Sequence, residues 1–169
     1  MGSDIPVLAR EYNIDAEKMF QELGPLVKET QICLQGVEGS DDPYLGVGQD
    51  GNKNSWERKR NHNYKGKDFR YPLFDLPYIN GIISDLNMTY TRLMKLKPKS
   101  CYSYHRDKTK RIHLVVTTNP DCWMIIEKRI CYLPINGSYY ITDTTKMHTA
   151  VNASNEDRIH IVGQFNDTP

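Results

Sequence analysis

Long apolar runs are missing from this chain. No window approaches the roughly 18 to 20 continuous apolar residues that a membrane-spanning helix needs, and the N-terminus lacks the apolar core of a signal peptide. A soluble, intracellular protein, cytoplasmic in location, is the expectation. Charge of one sign is equally scarce: Lys plus Arg is 22 against 21 for Asp plus Glu, a formal net charge of +1. No whole-chain field therefore favours nucleic acid or an anionic membrane. Cys33, Cys101, Cys122 and Cys131 form no Cys-x-x-Cys pair and no zinc-ribbon spacing, so reduced, mostly buried thiols are expected rather than a disulfide framework. Internal repeats and low-complexity tracts are absent too, which leaves 169 residues as one domain (1–169), large enough to bury a core.

What is present divides near residue 87. After Asp15, Met19, Phe20 and Leu23 recur at helical spacing and stop at Gly24-Pro25, predicting a capped supporting helix. Thr30 to Gln35 alternates Ile32 and Leu34 and suits a strand. Residues 36 to 63 are rich in Gly and Asn without periodicity, a long loop that either closes over a substrate or is a surface excursion. Overlapping it, Lys53 to Arg70 holds seven basic residues interleaved with Trp56, Tyr64 and Phe69. That mixture suits a solvated loop, an acidic peptide or single-stranded nucleic acid. A second helix is predicted from Phe74 to Asn87, with Asp75 as cap, Pro77 in the first turn and Ile79, Ile82, Ile83 and Leu86 on one face. From Met88 to about residue 165 some eight short β-type runs are separated by turn residues. Such a series predicts a mainly β fold, an antiparallel sandwich or barrel whose natural eight-stranded form is the jelly roll.

The chemistry concentrates where an apolar run meets a charged turn, at His105-Arg-Asp107. Chance alone supplies about 0.4 His-x-Asp pairs in a chain with 5 His and 13 Asp, so the pair means little by itself. Downstream, however, stand His148 and, ten residues later, Arg158. Two His and one carboxylate with open positions are the facial triad that suits Fe(II). The triplets Arg111-Ile-His113 and Arg158-Ile-His160 share one parity: if Ile112 and Ile159 pack outward against helices, each Arg and His faces the interior. A buried Arg requires an anion, and with no dedicated acidic partner evident, a dicarboxylic co-substrate would supply it through a forked, charge-assisted pair. Arg111 and His113 are candidates either for co-substrate contact or for structural pairing. His160 reads as a supporting residue, His62 as an exposed one, and a reactive role for Cys101 is not favoured.

From Tyr71 to Val162, the motifs Phe74-Asp-Leu-Pro-Tyr, Thr91-Arg-Leu-Met-Lys-Leu, His105-Arg-Asp107, Arg111-Ile-His113, Thr118-Asn-Pro120, His148, Asn152 and Arg158-Ile-His160 resemble the aspartyl/asparaginyl β-hydroxylase family of Fe(II)- and 2-oxoglutarate-dependent oxygenases. The first 70 residues carry no such likeness. The resemblance implies a double-stranded β-helix (cupin-like jelly roll) with supporting N-terminal helices. It implies iron held by His105, Asp107 and His148, 2-oxoglutarate held by Arg158 with His113 and Arg111, and O2 as second co-substrate. Asp107 sets the chain apart from the animal enzymes, which have glycine there, and aligns it with bacterial members acting on free amino acids. It also argues for hydroxylation over halogenation, since it fills the position that halide would need. The expected function is hydroxylation of an amino acid, free or in a peptide or protein. Two alternatives stay open: a non-catalytic jelly-roll binding or sensor module, and an oxygenase acting on nucleic acid. The short length fits a phage or bacterial member acting in the cytoplasm.

Overall fold

The computed structural model describes residues 5–47 and 63–166. Most of the basic stretch, with the centre of the loop 36–63 and His62, lies outside the described residues. Alternation along two strands decides the layers. In Arg111–Thr117 and Arg158–Gln164, Ile112, Leu114, Ile159 and Ile161 turn to one face and are buried with Met19, Leu23, Ile79 and Ile83 of the helices. Arg111, His113, Arg158 and His160 occupy the opposite face, because successive strand residues point to opposite sides. The parity expected of the two Arg-Ile-His triplets is observed.

Twelve strands and two α-helices are seen among the described residues. In chain order they are β1 (Val7–Glu11), α1 (Ala16–Leu23), β2 (Gln31–Cys33), β3 (Gln35–Gly36), β4 (Tyr71–Pro72), α2 (Pro77–Asp85), β5 (Thr89–Leu96), β6 (Ser100–Cys101), β7 (Arg111–Thr117), β8 (Cys122–Ile126), β9 (Arg129–Cys131), β10 (Ser138–Thr142), β11 (His148–Asn152) and β12 (Arg158–Gln164). A six-stranded sheet runs β1-β10-β7-β12-β5-β2, a four-stranded sheet β6-β11-β8-β9, and β3 pairs with β4 as a small ribbon. All pairings are antiparallel. The two larger sheets meet through a second apolar cluster in which Leu96, Val115 and Tyr140 of one pack on Met124, Ile126 and Ala150 of the other. Helices cover one face of the larger sheet and the smaller sheet covers the other. This mainly β jelly roll matches the expected fold class: the eight strands expected from Met88 onward are β5 to β12, the strand expected at Thr30 to Gln35 is divided between β2 and β3, and β1 and β4 are additional.

Helix caps show where local patterning was right and where it failed. Asp15 accepts a hydrogen bond from the backbone of Lys18 and caps α1, while Gly24, at φ +50°, ends it. Helix α2 starts one residue later than expected: its N-cap is Leu76, Pro77 fills the first turn, and Asp75 does not cap. The carboxylate that satisfies it is distant, since Glu22 of α1 accepts from the N–H groups of both Tyr78 (2.9 Å) and Ile79 (2.8 Å). A charge at a helix N-terminus also complements the helix dipole. The two helices are thereby tied to each other as well as to the sheet. Of the four thiols, Cys33 and Cys122 are buried, Cys131 is half-buried and Cys101 is exposed, and no disulfide joins them. Burial pushes the Cys33 thiol up to about 11, which keeps it protonated. No helix among the described residues is long and apolar enough to cross a membrane.

Candidate metal centre

His148 opens β11, and directly across from it stands His105, joined to it in an antiparallel bridge outside the named strands. Each backbone N–H donates to the other's carbonyl, at 3.0 and 2.9 Å. Residues directly opposite in such a pair project on the same face. The two rings accordingly lie together, centroids 4.5 Å apart. Asp107 follows two residues on, its N–H donating to the carbonyl of Thr144 at 2.8 Å, which folds the chain back towards His148. One ligating atom from each of His105, Asp107 and His148 lies within 4.8 Å of the others. The carboxylate stands 3.8 Å from each Nε2, through Oδ1 to His105 and Oδ2 to His148.

The other ring nitrogens are also engaged. Nδ1 of His105 lies 2.7 Å from the Ser103 carbonyl, and Nδ1 of His148 lies 2.9 Å from that of Lys146. A carbonyl can only accept, so each Nδ1 carries the proton and each Nε2 presents a lone pair, the arrangement a metal ligand needs. Burial holds His148 below 6.5 despite the Lys146 carbonyl and Asp107, which pull the other way. Burial would raise Asp107, but the Arg111 guanidinium outweighs it and, with both histidines, holds the carboxyl below its usual range. Two imidazoles and one carboxylate therefore converge, a donor set suited to Fe(II).

Arg111 is where the structure corrects the sequence reading. No dedicated acidic partner was assigned to the buried arginines, yet Nε of Arg111 donates to Asp107 Oδ2 at 2.9 Å. The pair is bridged by a charged turn rather than by a strand, and a period-2 reading does not reach it. Arg111 thus orients the Asp107 carboxylate, while its Nη1 is buried without a partner.

These groups line a cavity of about 790 Å³ between the sheets, with Arg158 and His113 on its wall and Met94, Met124, Ala150 and Val162 supplying apolar surface. Arg158 is 3% exposed and makes no hydrogen bond or ion pair with any described residue. Burial pulls its pKa down to about 10, even with Tyr102 and Cys122 nearby. Its position is fixed by Asn152 at the end of β11, whose amide donates to the Leu96 and Glu156 carbonyls and whose Oδ1 accepts from Ser154, pinning the turn that enters β12. His113 and His160 are both buried, their Nδ1 atoms 3.2 Å apart, so one donates to the other. Burial and the charge of Arg158 hold both well below 6.5, and the Nε2 of each is unpartnered. All six expected site residues are thus brought to one cavity, and His160 supports His113 from behind.

A buried cation and a buried imidazole Nε2, each without a partner among the described residues, stand beside a two-His, one-carboxylate cluster. The residues fit Fe(II) and a dicarboxylate. The aspartyl/asparaginyl beta-hydroxylase family model matches residues 38–168. The chain belongs to this family. Its match begins at residue 38, well ahead of the Tyr71 from which the likeness was read. The L-proline cis-4-hydroxylase of Rhizobium meliloti (strain 1021) is 28% identical over 103 residues, covering 55% of this chain and 36% of that protein. The chain therefore matches about a third of that relative's length. Among solved structures, a viral collagen prolyl hydroxylase of Paramecium Bursaria Chlorella virus-1, determined as a 2-oxoglutarate complex, superposes with a TM-score of 0.50 at 9% identity, over 95% of this chain and 96% of that one. At that identity the likeness establishes the jelly-roll fold.

Proposed function

We propose that the protein is an Fe(II)- and 2-oxoglutarate-dependent dioxygenase that hydroxylates an amino acid, free or as a residue of a peptide or protein. The observation that carries this reading is the meeting, in one cavity, of the His105/Asp107/His148 cluster with a fully buried arginine that has no anion of its own. His105, Asp107 and His148 would hold the iron. Arg158 would take the distal carboxylate of 2-oxoglutarate through a forked pair, with the unpartnered Nε2 of His113 as a further contact. When bound, Fe(II) supplies the oxygen chemistry that turns 2-oxoglutarate, O2 and a C–H bond into succinate, carbon dioxide and a C–O–H group.

Everything else is the work of the chain. Arg111 holds Asp107 by one oxygen and keeps it ionised. The Ser103 and Lys146 carbonyls fix the tautomers of the two histidine ligands. Asn152 sets the reach of Arg158, and the methionine and valine side chains on the cavity wall keep water sparse around it, so that charge pairing inside is strong. Protein orientation and exclusion of water are what such a cofactor requires of its site. The family match and the relative named for hydroxylating L-proline both support an amino-acid substrate.

The reading is tested by equilibrium titration under nitrogen. The native protein should bind one Fe(II) and then one 2-oxoglutarate, Asp107→Ala should bind neither, and Arg158→Met should keep Fe(II) while losing 2-oxoglutarate. A native protein that bound the metal but not the keto acid would favour the non-catalytic binding module.

A further inference from the structure

One buried charge in the cavity is left over. Among the described residues lining it are Arg92, Arg106, Arg111 and Arg158, and Asp107 is their one carboxylate. Arg111 has Asp107, and Arg158 is the proposed partner of the co-substrate. Arg92, on β5, is 8% exposed, its Nε is buried with no hydrogen-bond partner, and its guanidinium makes no ion pair with a described residue. An uncompensated buried charge costs several kcal/mol, so a group of opposite sign belongs beside it.

On the antiparallel pair β5 and β12, Arg92 stands opposite Val162 and Arg158 opposite Leu96, four residues apart. At about 3.3 Å per residue their backbones stand about 13 Å apart along the strands. Arg92 sits instead at the end occupied by Arg111. The Tyr90 ring ties them together, its centroid 4.3 Å from the guanidinium carbon of Arg92 and 5.9 Å from that of Arg111. The backbone of Tyr90 is unusual, at φ +54°, where the register with β12 shifts between Val162 and Gln164. A non-glycine residue held there is strained and persists only where its surroundings enforce it. The Tyr90 hydroxyl donates to the Gly46 carbonyl, and a Cβ at Gly46 would lie 2.6 Å from the ring. Tyr90 is thus clamped as a platform beneath Arg92.

We propose that Arg92 is the anchor for a carboxylate of the substrate, so that the amino acid hydroxylated is one presenting a free carboxylate beside the metal end of the cavity. This rests on the oxygenase reading, since it takes the rest of the cavity as holding iron and 2-oxoglutarate. A guanidinium seated 4.3 Å from an aromatic centroid on the cavity wall suits bidentate capture of a carboxylate. The carboxylate is either the α-carboxylate of a free amino acid or the side chain of an acidic residue, and one set of titrations distinguishes them.

The protein loaded with Fe(II) and 2-oxoglutarate is held under nitrogen, where turnover cannot occur. It is titrated calorimetrically with the twenty free L-amino acids, with their α-carboxamides, and with N-acetylated, C-amidated peptides carrying an internal Asp or Asn. The expected result is that at least one carboxylate binds and its matched amide binds about 10- to 100-fold more weakly, the loss of one charge-assisted pair. A preference for free acid over α-amide identifies the α-carboxylate, whereas a preference for the Asp over the Asn peptide identifies the side chain. Arg92→Met should abolish either preference while binding 2-oxoglutarate within about threefold of native, and Arg92→Lys should restore part of it. Equal binding of acid and amide by the native protein, or an undiminished preference in Arg92→Met, would overturn the proposal, as would binding of no carboxylate in the set. A native protein that bound neither Fe(II) nor 2-oxoglutarate would overturn the oxygenase reading instead, and the acid-against-amide comparison on that protein would still decide the role of Arg92.

Discussion

Replacing Arg158 with methionine should make the protein more stable and less able to bind its co-substrate. The side chain is 3% exposed and burial lowers its pKa from 12.5 to about 10. At 1.36 kcal/mol per pKa unit, that drop corresponds to about 3 kcal/mol lost to keeping the group charged at neutral pH. The sign follows from linkage: a base whose pKa is depressed by folding is protonated more readily in the unfolded chain, so at any pH below about 10 the full penalty applies. Methionine suits the comparison because it fills most of the arginine's volume without the charge. Arg158→Met, free of ligands, should therefore unfold in urea with ΔG higher by about 1 to 3 kcal/mol. With Fe(II) and 2-oxoglutarate at a hundred times its dissociation constant, the native protein should gain about 2.7 kcal/mol, and the variant close to none from the keto acid. A variant less stable than native without ligand, yet equally stabilised by 2-oxoglutarate, would refute the idea that Arg158 is a buried charge awaiting an anion.

Acid should unfold the protein through His113 and His160. Both are neutral in the fold and held well below 6.5, so their stabilising contribution is present above 6.5 and falls as pH drops below it. The slope should reach up to about 2.7 kcal/mol per pH unit for the two protons. Urea titrations at pH 7, 6 and 5 should show that slope and its reduction in His160→Met; a flat profile would contradict the buried neutral pair. Glu22→Gln removes the charge that caps α2 and should cost about 1 kcal/mol in chemical denaturation, and an unchanged midpoint would remove Glu22 from that role. Arg111→Met should leave secondary structure intact by circular dichroism while weakening Fe(II) binding about 10- to 100-fold. Undiminished affinity would show that Asp107 needs no support.

The site was legible because its chemistry rests on scarce residue types in a fixed order. His105, Asp107, His148 and Arg158 could be singled out without any fold, and the parity of Arg111-Ile-His113 and Arg158-Ile-His160 correctly placed isoleucines against helices and arginines in the cavity. What escaped depends on contacts distant in the chain. Strand β1 is half-exposed to exposed along its length, with no alternation, and is a strand only because β10 pairs with it more than a hundred residues later. Local cap rules pointed to Asp75, whereas the carboxylate that caps α2 is Glu22, from another helix. Asp107 and Arg111 pair across a turn, outside the periodicity of a strand. Arg92 lay within the Thr91-Arg-Leu-Met-Lys-Leu motif, but nothing there marked its role, and its one further signal was a charged residue at the same parity as Met94 and Leu96 on one face of its strand.

The central claim, that this cavity couples 2-oxoglutarate oxidation to hydroxylation of a carboxylate-bearing amino acid, is tested most directly by mass spectrometry under ¹⁸O2. The native protein, with Fe(II), 2-oxoglutarate and the acid identified by titration, should give succinate and a product carrying one ¹⁸O in equal amounts, and His148→Ala should give neither. Succinate without a labelled product, or a labelled product that survives loss of His148, would contradict the account.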